Sequence, residues 1–412
     1  MFKRSYYYLL VTVTLSSFGD VFGLLAMEWL VYELTASKLA MGAMALCFSI
    51  SEVCFRLLGS PLSDRLNRGK FMTGLVVVRL TALLIPLTLS MTGSHLHVWH
   101  LFAAAALSGA CSALFMPTAM AVIPGVVGKQ QLTRSFAVID GCRNAAALIG
   151  PALAGALIAL AGSLPTLGIN AACYILALTA LLYMPAIYQK TANKVHFSAK
   201  EYIQDIGEAF SFYRRFPAML TIMAMVAISN MSSIAVWTMM IPFVREVLHK
   251  DAATMGTLTS ASAFGTLAGL LIISKLGEFK KRRTVMLCSL TVIGLSYVLL
   301  GLLPSYPFAL LILCFSGAAG PFFGVLSSTL HGTLVPVSLQ GRVNSIRFLI
   351  GGGLQPIGAF AGAAAAEQYG IPALFITVGL LPIVCSSAAS FLPTLKVLDG
   401  DLSTLRNNES TI

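Results

Sequence analysis

The chain has 412 residues, of which 57% are hydrophobic and 10% are charged. A soluble domain is about a quarter charged, so this composition excludes an ordinary soluble protein. The net charge is +11, but the basic residues are spread over the connections between apolar stretches. That distribution argues against a nucleic-acid-binding surface.

Apolar stretches long enough to cross a bilayer fill the chain. A spanning helix needs about 20 apolar residues, and we place twelve of them near residues 8–33, 40–62, 71–92, 98–123, 135–161, 164–187, 217–244, 252–276, 284–303, 307–335, 343–366 and 371–393. Only short loops remain. The sequence therefore predicts an all-α membrane protein without a separate soluble domain.

The second six spans repeat landmarks of the first six. Residues 108–110, which read SGA, recur at 316–318, and Arg134 recurs as Arg342, in both cases 208 positions later. Parallel repeats of this kind are related by an axis along the membrane normal. We expect one six-helix bundle in residues 1–190, a linker in 191–216 and a second bundle in 217–412.

The basic residues predict the orientation in the membrane. Most Lys and Arg residues lie at the termini and in the connections that follow even-numbered spans; outside the spans, only Lys38, Arg245 and Lys250 fall on the other side. The positive-inside rule then places both termini in the cytoplasm. Residues 198–216 have apolar groups at helical spacing, which predicts an amphipathic helix on the cytoplasmic membrane face.

The connection after the second span carries a recognisable motif. Residues 59–70 read GSPLSDRLNRGK, in which an acidic residue ends one helix and basic residues begin the next. This resembles the signature loop of the major facilitator superfamily, and the resemblance implies twelve helices in two pseudo-symmetric bundles. We expect Asp64 to interact with a helix N-terminus of the opposite half, while Arg65 and Arg68 face anionic headgroups or acidic partners.

The 208-residue offset extends this motif to a two-armed cytoplasmic gate. Asp64 is expected to approach Arg342, at the start of the eleventh span. Glu278, which closes the loop after the eighth span, is expected to approach Arg134. Opposite charge near a helix N-terminus makes both contacts favourable.

The fifth span contains residues 146–155, AALIGPALAG, which are similar to the Gly-Pro motif of the superfamily's drug and metabolite exporters. We expect Gly150 and Gly155 to let helices approach closely and Pro151 to kink the span, with Pro356 as the second-half counterpart. Residues 29–35, 128–134, 208–217 and 341–343 resemble the subgroup that contains macrolide efflux proteins and siderophore exporters.

Charged side chains at membrane depth are costly and are functional candidates by default. All of them lie in the first half. Asp20 has no basic residue within one helical turn, and desolvation disfavours its charged form, so we interpret it as the first candidate for proton coupling. Glu28, eight positions later, can face the same cavity.

The other charges at this depth form local pairs, with one exception. Glu52 and Arg56 are four residues apart, and Asp140 and Arg143 are three apart, which permits ion pairs along one helix. Glu52 and Asp140 remain proton-coupling candidates, and Arg56 and Arg143 remain cavity candidates. Arg79 has no partner in its own span, and Asp20, Glu52 and lipid headgroups all remain open as its partner.

The second half offers candidates for a roomy apolar cavity: Asn230, Trp237, Phe322 and His331. Such a mixture of aromatic and polar groups suits amphiphilic ligands. The sequence contains no GxxxxGK[ST] loop and no recognisable nucleophile and base set, so we expect neither ATP-driven transport nor enzyme activity.

The resemblance implies a secondary transporter of a prokaryotic cell membrane that exports a small amphiphilic drug or secondary metabolite by proton antiport through alternating access. The expected partners are this substrate, protons and lipid, and we expect a monomer without cofactor or metal. Three alternatives stay open. One is export of a siderophore, whose negative charge Arg79 and Arg143 would attract. The second is uptake or facilitation without a proton, and the third is a non-transporting membrane sensor or scaffold.

Overall fold

The computed structural model describes residues 4–65, 67–92, 95–127, 131–184, 207–208, 210–335 and 339–399. The regular structure in these ranges is helical throughout, without a β-strand. Among the described residues, twelve helices are long and apolar enough to cross a membrane. The expected all-α membrane fold is therefore confirmed.

The described residues of the first half form six helices. They are α1 (Arg4–Thr35), α2 (Lys38–Arg65), α3 (Arg68–Met91), α4 (Val98–Val126), α5 (Leu132–Ala161) and α6 (Ser163–Leu182). Asn67 caps α3, because its side-chain oxygen accepts a hydrogen bond from the Lys70 amide. Gly162 joins α5 to α6 with φ of +89°, a conformation that glycine adopts without a steric penalty.

The described residues of the second half form seven long helices. They are α7 (Pro217–Thr238), α8 (Ala252–Leu276), α9 (Arg282–Leu302), α10 (Tyr306–Leu334), α11 (Gln340–Gly353), α12 (Gln355–Tyr369) and α13 (Ile371–Ser390). The eleventh span is interrupted at Leu354, which ends α11 and precedes α12. Pro356 explains the interruption, since proline lacks an amide donor and its ring clashes with the preceding turn.

The chain forms two compact units. Unit 1 consists of residues 1–196 and 241–260, and unit 2 of residues 197–240 and 261–412. The segment 241–260, which follows the seventh span, thus belongs with the first six helices. It includes a π-helix, Phe243–Val247, and the start of α8.

The repeated SGA motif marks the same kind of close helix contact in each unit. A Cβ atom on Gly109 of α4 would lie 2.3 Å from the carbonyl oxygen of Phe48 in α2, and one on Gly317 of α10 would lie 2.1 Å from that of Ser262 in α8. Neither position has room for a side chain. Small residues at such crossings allow helices to pack through their backbones.

The Gly-Pro motif of α5 also lies at tight contacts inside unit 1. A Cβ on Gly150 would lie 2.9 Å from the Val21 side chain, and one on Gly155 would lie 2.4 Å from the carbonyl oxygen of Ala252. Gly256 is equally restricted, at 2.4 Å from the carbonyl oxygen of Pro151. In unit 2, Pro356 is buried at the start of α12.

Candidate functional site

Unit 1 holds a charge cluster built from three helices. Arg79 of α3 is only 2% exposed, and its Nη1 donates to both carboxylate oxygens of Asp20 of α1, at 3.0 and 3.1 Å. Tyr174 of α6 donates its hydroxyl to Oδ1 of Asp20 at 2.5 Å. Three hydrogen bonds thus converge on a single carboxylate.

Aromatic packing fixes the guanidinium of this cluster. Arg79 lies over the ring of Phe115 from α4, with 5.2 Å between its Cζ and the ring centroid, an arrangement favourable for a cation. Its Nε donates to no acceptor within the described residues. A buried unsatisfied donor of this kind points to a functional rather than a purely structural position.

A cavity of about 280 Å³ opens beside the cluster. Asp20, Arg79 and Arg143 line it together with Ser17 and Ser112. The side chain of Asp20 is 42% exposed, although Arg79 behind it is buried. The carboxylate is therefore the part of the cluster that a proton or a ligand in the cavity can reach.

The other acidic candidates of unit 1 have different surroundings. Glu52 pairs with Arg56 on the same helix. Asp140 lies 3.4 Å from Arg143, again on the same helix. Glu28 is half-buried and has no hydrogen-bond or ion-pair partner in the described part of the chain. Of these residues, Arg143 reaches the cavity of Asp20.

A second cluster of unit 1, at the ends of α1 and α2, was not foreseen from the sequence. Glu33 accepts hydrogen bonds from Trp29 and Ser163, both at 2.9 Å, and lies 3.7 Å from Arg245. The guanidinium of Arg245 lies 4.7 Å from the Trp29 ring centroid. Arg245 comes from the π-helix, a form often found at functional positions.

Glu246, the next residue of the π-helix, completes this cluster. Its carboxylate accepts from the hydroxyl of Tyr32 at 2.7 Å and lies 2.8 Å from Nζ of Lys38. The segment 241–260 is thereby attached to the first bundle through two ion pairs. The sequence did distinguish Lys38 and Arg245 as rare basic residues on the predicted outer side, but it gave no sign of their partners.

Unit 2 contains a cavity of about 510 Å³. Asn230 and Trp237 line it, and Phe323, Tyr297 and Arg347 line it as well. Phe322 is not among the lining residues; its ring packs against Phe279 at 6.0 Å. Sequence reasoning did not name Arg347, which lies near the start of the eleventh predicted span, as a cavity residue.

His331 is also absent from the cavity wall, because it is buried in a hydrogen-bonded pair. Its Nδ1 lies 2.6 Å from the carbonyl oxygen of Ser327, which only accepts, so the proton resides on Nδ1. Its Nε2 then accepts from the hydroxyl of Tyr213 at 3.1 Å. Burial raises the pKa of Tyr213 to about 12, so this hydroxyl remains a donor.

The expected cytoplasmic gate is described only in part. The side chains of Asp64, Arg65 and Arg342 lie outside the described residues, as does most of the 198–216 segment. Arg68 donates to the carbonyl oxygen of Ala121 at 2.8 Å. Glu278 lies 4.0 Å from Arg282 on the following helix. Arg134 is exposed.

The twelve candidate spanning helices among the described residues define a multi-pass membrane protein. Solved transporters share the fold. A bacterial homologue of the lysosomal transporter spinster matches with a TM-score of 0.70 and 15% identity, covering 97% of this chain and 98% of its own. A peptide transporter crystallised with sulfate matches with a TM-score of 0.73 and 14% identity, covering 95% and 96%.

The family follows from the sequence comparison. The model of the transmembrane secretion effector family matches residues 2–410, so the chain belongs to this family of transporters of the major facilitator type. Multidrug efflux pump Tap of Mycolicibacterium fortuitum is 23% identical, over 92% of this chain and 94% of its own. Macrolide efflux protein A of Streptococcus pyogenes is 22% identical, over 91% and 92%. These relatives support an efflux transporter in the plasma membrane.

Proposed function

We propose that this protein exports a small amphiphilic compound by proton antiport, through alternating access of one central path to the two sides of the membrane. The observation that carries the proposal is Asp20, a carboxylate that is open to a cavity but held from behind by buried Arg79. The efflux activity named for Tap and macrolide efflux protein A supports the direction of transport.

The cluster gives antiport a chemical basis. A proton that binds Asp20 removes the negative charge that holds Arg79, so the guanidinium is released from its partner. The cavity then has a positive group without a counter-ion. It therefore favours a different ligand, or a different conformational state of the protein, from the cavity with an ionised Asp20. Coupling requires such a difference, because a proton and a substrate that bind without influencing each other do not drive each other.

Export of an anionic chelator is the second candidate. Arg143 lines the cavity beside Asp20, and Arg79 lies behind that carboxylate, so an anion would meet Arg143 directly and Arg79 once Asp20 has bound a proton. Both candidates place the proton on Asp20, and they differ in the charge of the substrate that the cavity accepts.

The test is transport in proteoliposomes with an imposed pH gradient. Labelled erythromycin and labelled taurocholate serve as amphiphilic probes of opposite charge. We expect the wild-type protein to accumulate at least one probe against its gradient. Asp20→Asn keeps the size of the side chain but removes the titrating group, so it should abolish gradient-driven accumulation and leave probe binding in place.

Glu367→Gln is the matched control, since Glu367 is an exposed carboxylate at the end of α12. It should transport like the wild type. Accumulation by Asp20→Asn at the wild-type rate would exclude Asp20 as the proton site. Failure of both probes to respond to the gradient in the wild type would contradict proton antiport of amphiphiles.

A further inference from the structure

The cavity of unit 2 combines aromatic walls with a single charge. Trp237, Tyr297 and Phe323 line it, together with several small hydroxyl side chains, and Arg347 is its only charged lining residue among those described. No aspartate or glutamate contributes to this part of the wall. The cavity therefore offers apolar contact, hydrogen bonding and one positive charge.

Among the described residues, Arg347 has no counter-ion, unlike three arginines of unit 1. Arg56, Arg79 and Arg143 each lie within ion-pair distance of a carboxylate. Arg347 donates from Nη2 to the hydroxyl of Ser328 at 2.7 Å, and no carboxylate among the described residues lies within 4.0 Å of it. A guanidinium carries five N–H donors, so most of its capacity for an anion is unused.

The lining residues of α7 run from Val226 to Trp237, about 16 Å of helix at 1.5 Å of rise per residue. The eleventh span runs parallel to α7, because Gly351 lies against Val226, Gly358 against Met231 and Gly362 against Ala235. Arg347 precedes Gly351 by one helical turn, so it lies toward the Val226 end of this wall, and Trp237 lies at the other end.

We propose that this cavity is a binding site for an elongated amphiphile with one anionic group, a carboxylate, sulfonate or phosphate, which Arg347 holds at one end while Trp237, Tyr297 and Phe323 contact the apolar part. Guanidinium binds such groups in a bidentate fashion and stays charged in apolar surroundings. The inference rests on the proposed transport function and names the class of substrate. The anionic group can belong to a soluble compound or to a lipid headgroup.

Trp237 provides a reporter inside the cavity. The chain has three tryptophans, and Trp29→Phe with Trp99→Phe leaves Trp237 alone. Energy transfer from Trp237 to dansyl-undecanoate, an elongated anionic amphiphile, measures binding in dodecyl maltoside micelles without any gradient. Dansylcadaverine is the matched cationic probe. Transport and binding are thus tested separately, so the failure of one is distinguishable from the failure of the other.

We expect dansyl-undecanoate to bind and dansylcadaverine to bind at least about tenfold more weakly. Arg347→Gln should lower the affinity for dansyl-undecanoate by about ten- to a hundredfold, the loss expected for a hydrogen bond to a charged group. Arg347→Lys should retain a substantial part of the affinity, because the charge remains. Lys281→Gln removes one positive charge from an exposed position of the same unit and should change nothing.

Two results would overturn the assignment: equal affinity for both probes, or unchanged affinity for the anionic probe in Arg347→Gln that still elutes as a folded monodisperse protein. Added lipid separates the two sources of the anion. Displacement by phosphatidylglycerol but not by phosphatidylcholine supports a lipid headgroup, and resistance to both lipids supports a soluble amphiphile.

Discussion

At the scale of single residues, the sequence identified Asp20 and Arg79 as unusual but did not pair them. Charge at membrane depth is visible in a sequence because it is costly, whereas a partner on another helix, 59 residues away, is not. Tyr174 and Arg347 were missed for a related reason. A tyrosine in an apolar helix looks like packing, and an arginine near the start of a span looks like an anchor.

The charge cluster around the π-helix leads to a prediction for one ion pair. Lys38 and Glu246 lie 2.8 Å apart, with side chains 15% and 35% exposed. Partly exposed pairs contribute about 0 to 1 kcal/mol, so Lys38→Glu and Glu246→Lys should each lower the apparent Tm modestly in detergent. The double variant restores opposite charges and should recover part of that loss.

Lys250 supplies the control for this cycle, because it is exposed and has no ion-pair partner in the described ranges. Lys250→Glu combined with Glu246→Lys should not recover any of the Tm that Glu246→Lys loses. If the Tm losses of Lys38→Glu and Glu246→Lys simply add in the double variant, the ion pair does not help to hold the 241–260 segment on unit 1.

At the scale of helices, the positions of the spans could be predicted well because length and hydropathy determine them. The interruption of the eleventh span at Leu354 was not predicted, since Pro356 was interpreted only as a relic of the Gly-Pro motif. The repeated SGA motif was recognised as a sign of duplication. Its physical basis, a glycine pressed against a neighbouring carbonyl in each unit, becomes visible only in the packed structure.

The glycine contacts predict a matched effect in the two units. Gly109→Ala and Gly317→Ala place a methyl group within 2.3 and 2.1 Å of a backbone oxygen, so the helices must separate. Overpacking of this kind costs about 1 to 3 kcal/mol. Both variants should therefore show a clearly lower apparent Tm than the wild type in a thermal unfolding assay in detergent.

Open helical glycines are the comparison for this prediction. A Cβ on Gly74 of α3 or Gly320 of α10 would meet nothing within 4 Å. Alanine at these positions should leave the Tm unchanged or raise it, because glycine inside a helix is about 0.5 to 1 kcal/mol less favourable than alanine. Equal Tm values for Gly109→Ala and Gly74→Ala would refute the proposed close packing.

At the scale of the whole molecule, the duplication by 208 residues predicted two halves, and the structure divides the chain into two compact units. The assignment of residues 241–260 to unit 1 was beyond the reach of the sequence. That assignment depends on Gly256 against α5 and on the ion pairs of the π-helix, which are contacts between distant parts of the chain. The domain boundaries at 190 and 217 stay a prediction.

The orientation of the protein in the membrane can be tested directly. The bias of Lys and Arg toward even-numbered connections predicts cytoplasmic termini, so Lys281, before α9, should face the cytoplasm, and Lys250, before α8, should face outward. Both side chains are exposed.

After replacement of all eight cysteines, Lys250→Cys should react with a membrane-impermeant maleimide in intact cells, and Lys281→Cys should react only after the cells are opened. His97→Cys, in the connection between α3 and α4, provides a second outer position. Labelling of Lys281→Cys in intact cells would show that the topology is the reverse of the predicted one. The side of the membrane from which a substrate reaches Arg347 in the unit 2 cavity would then be reversed as well.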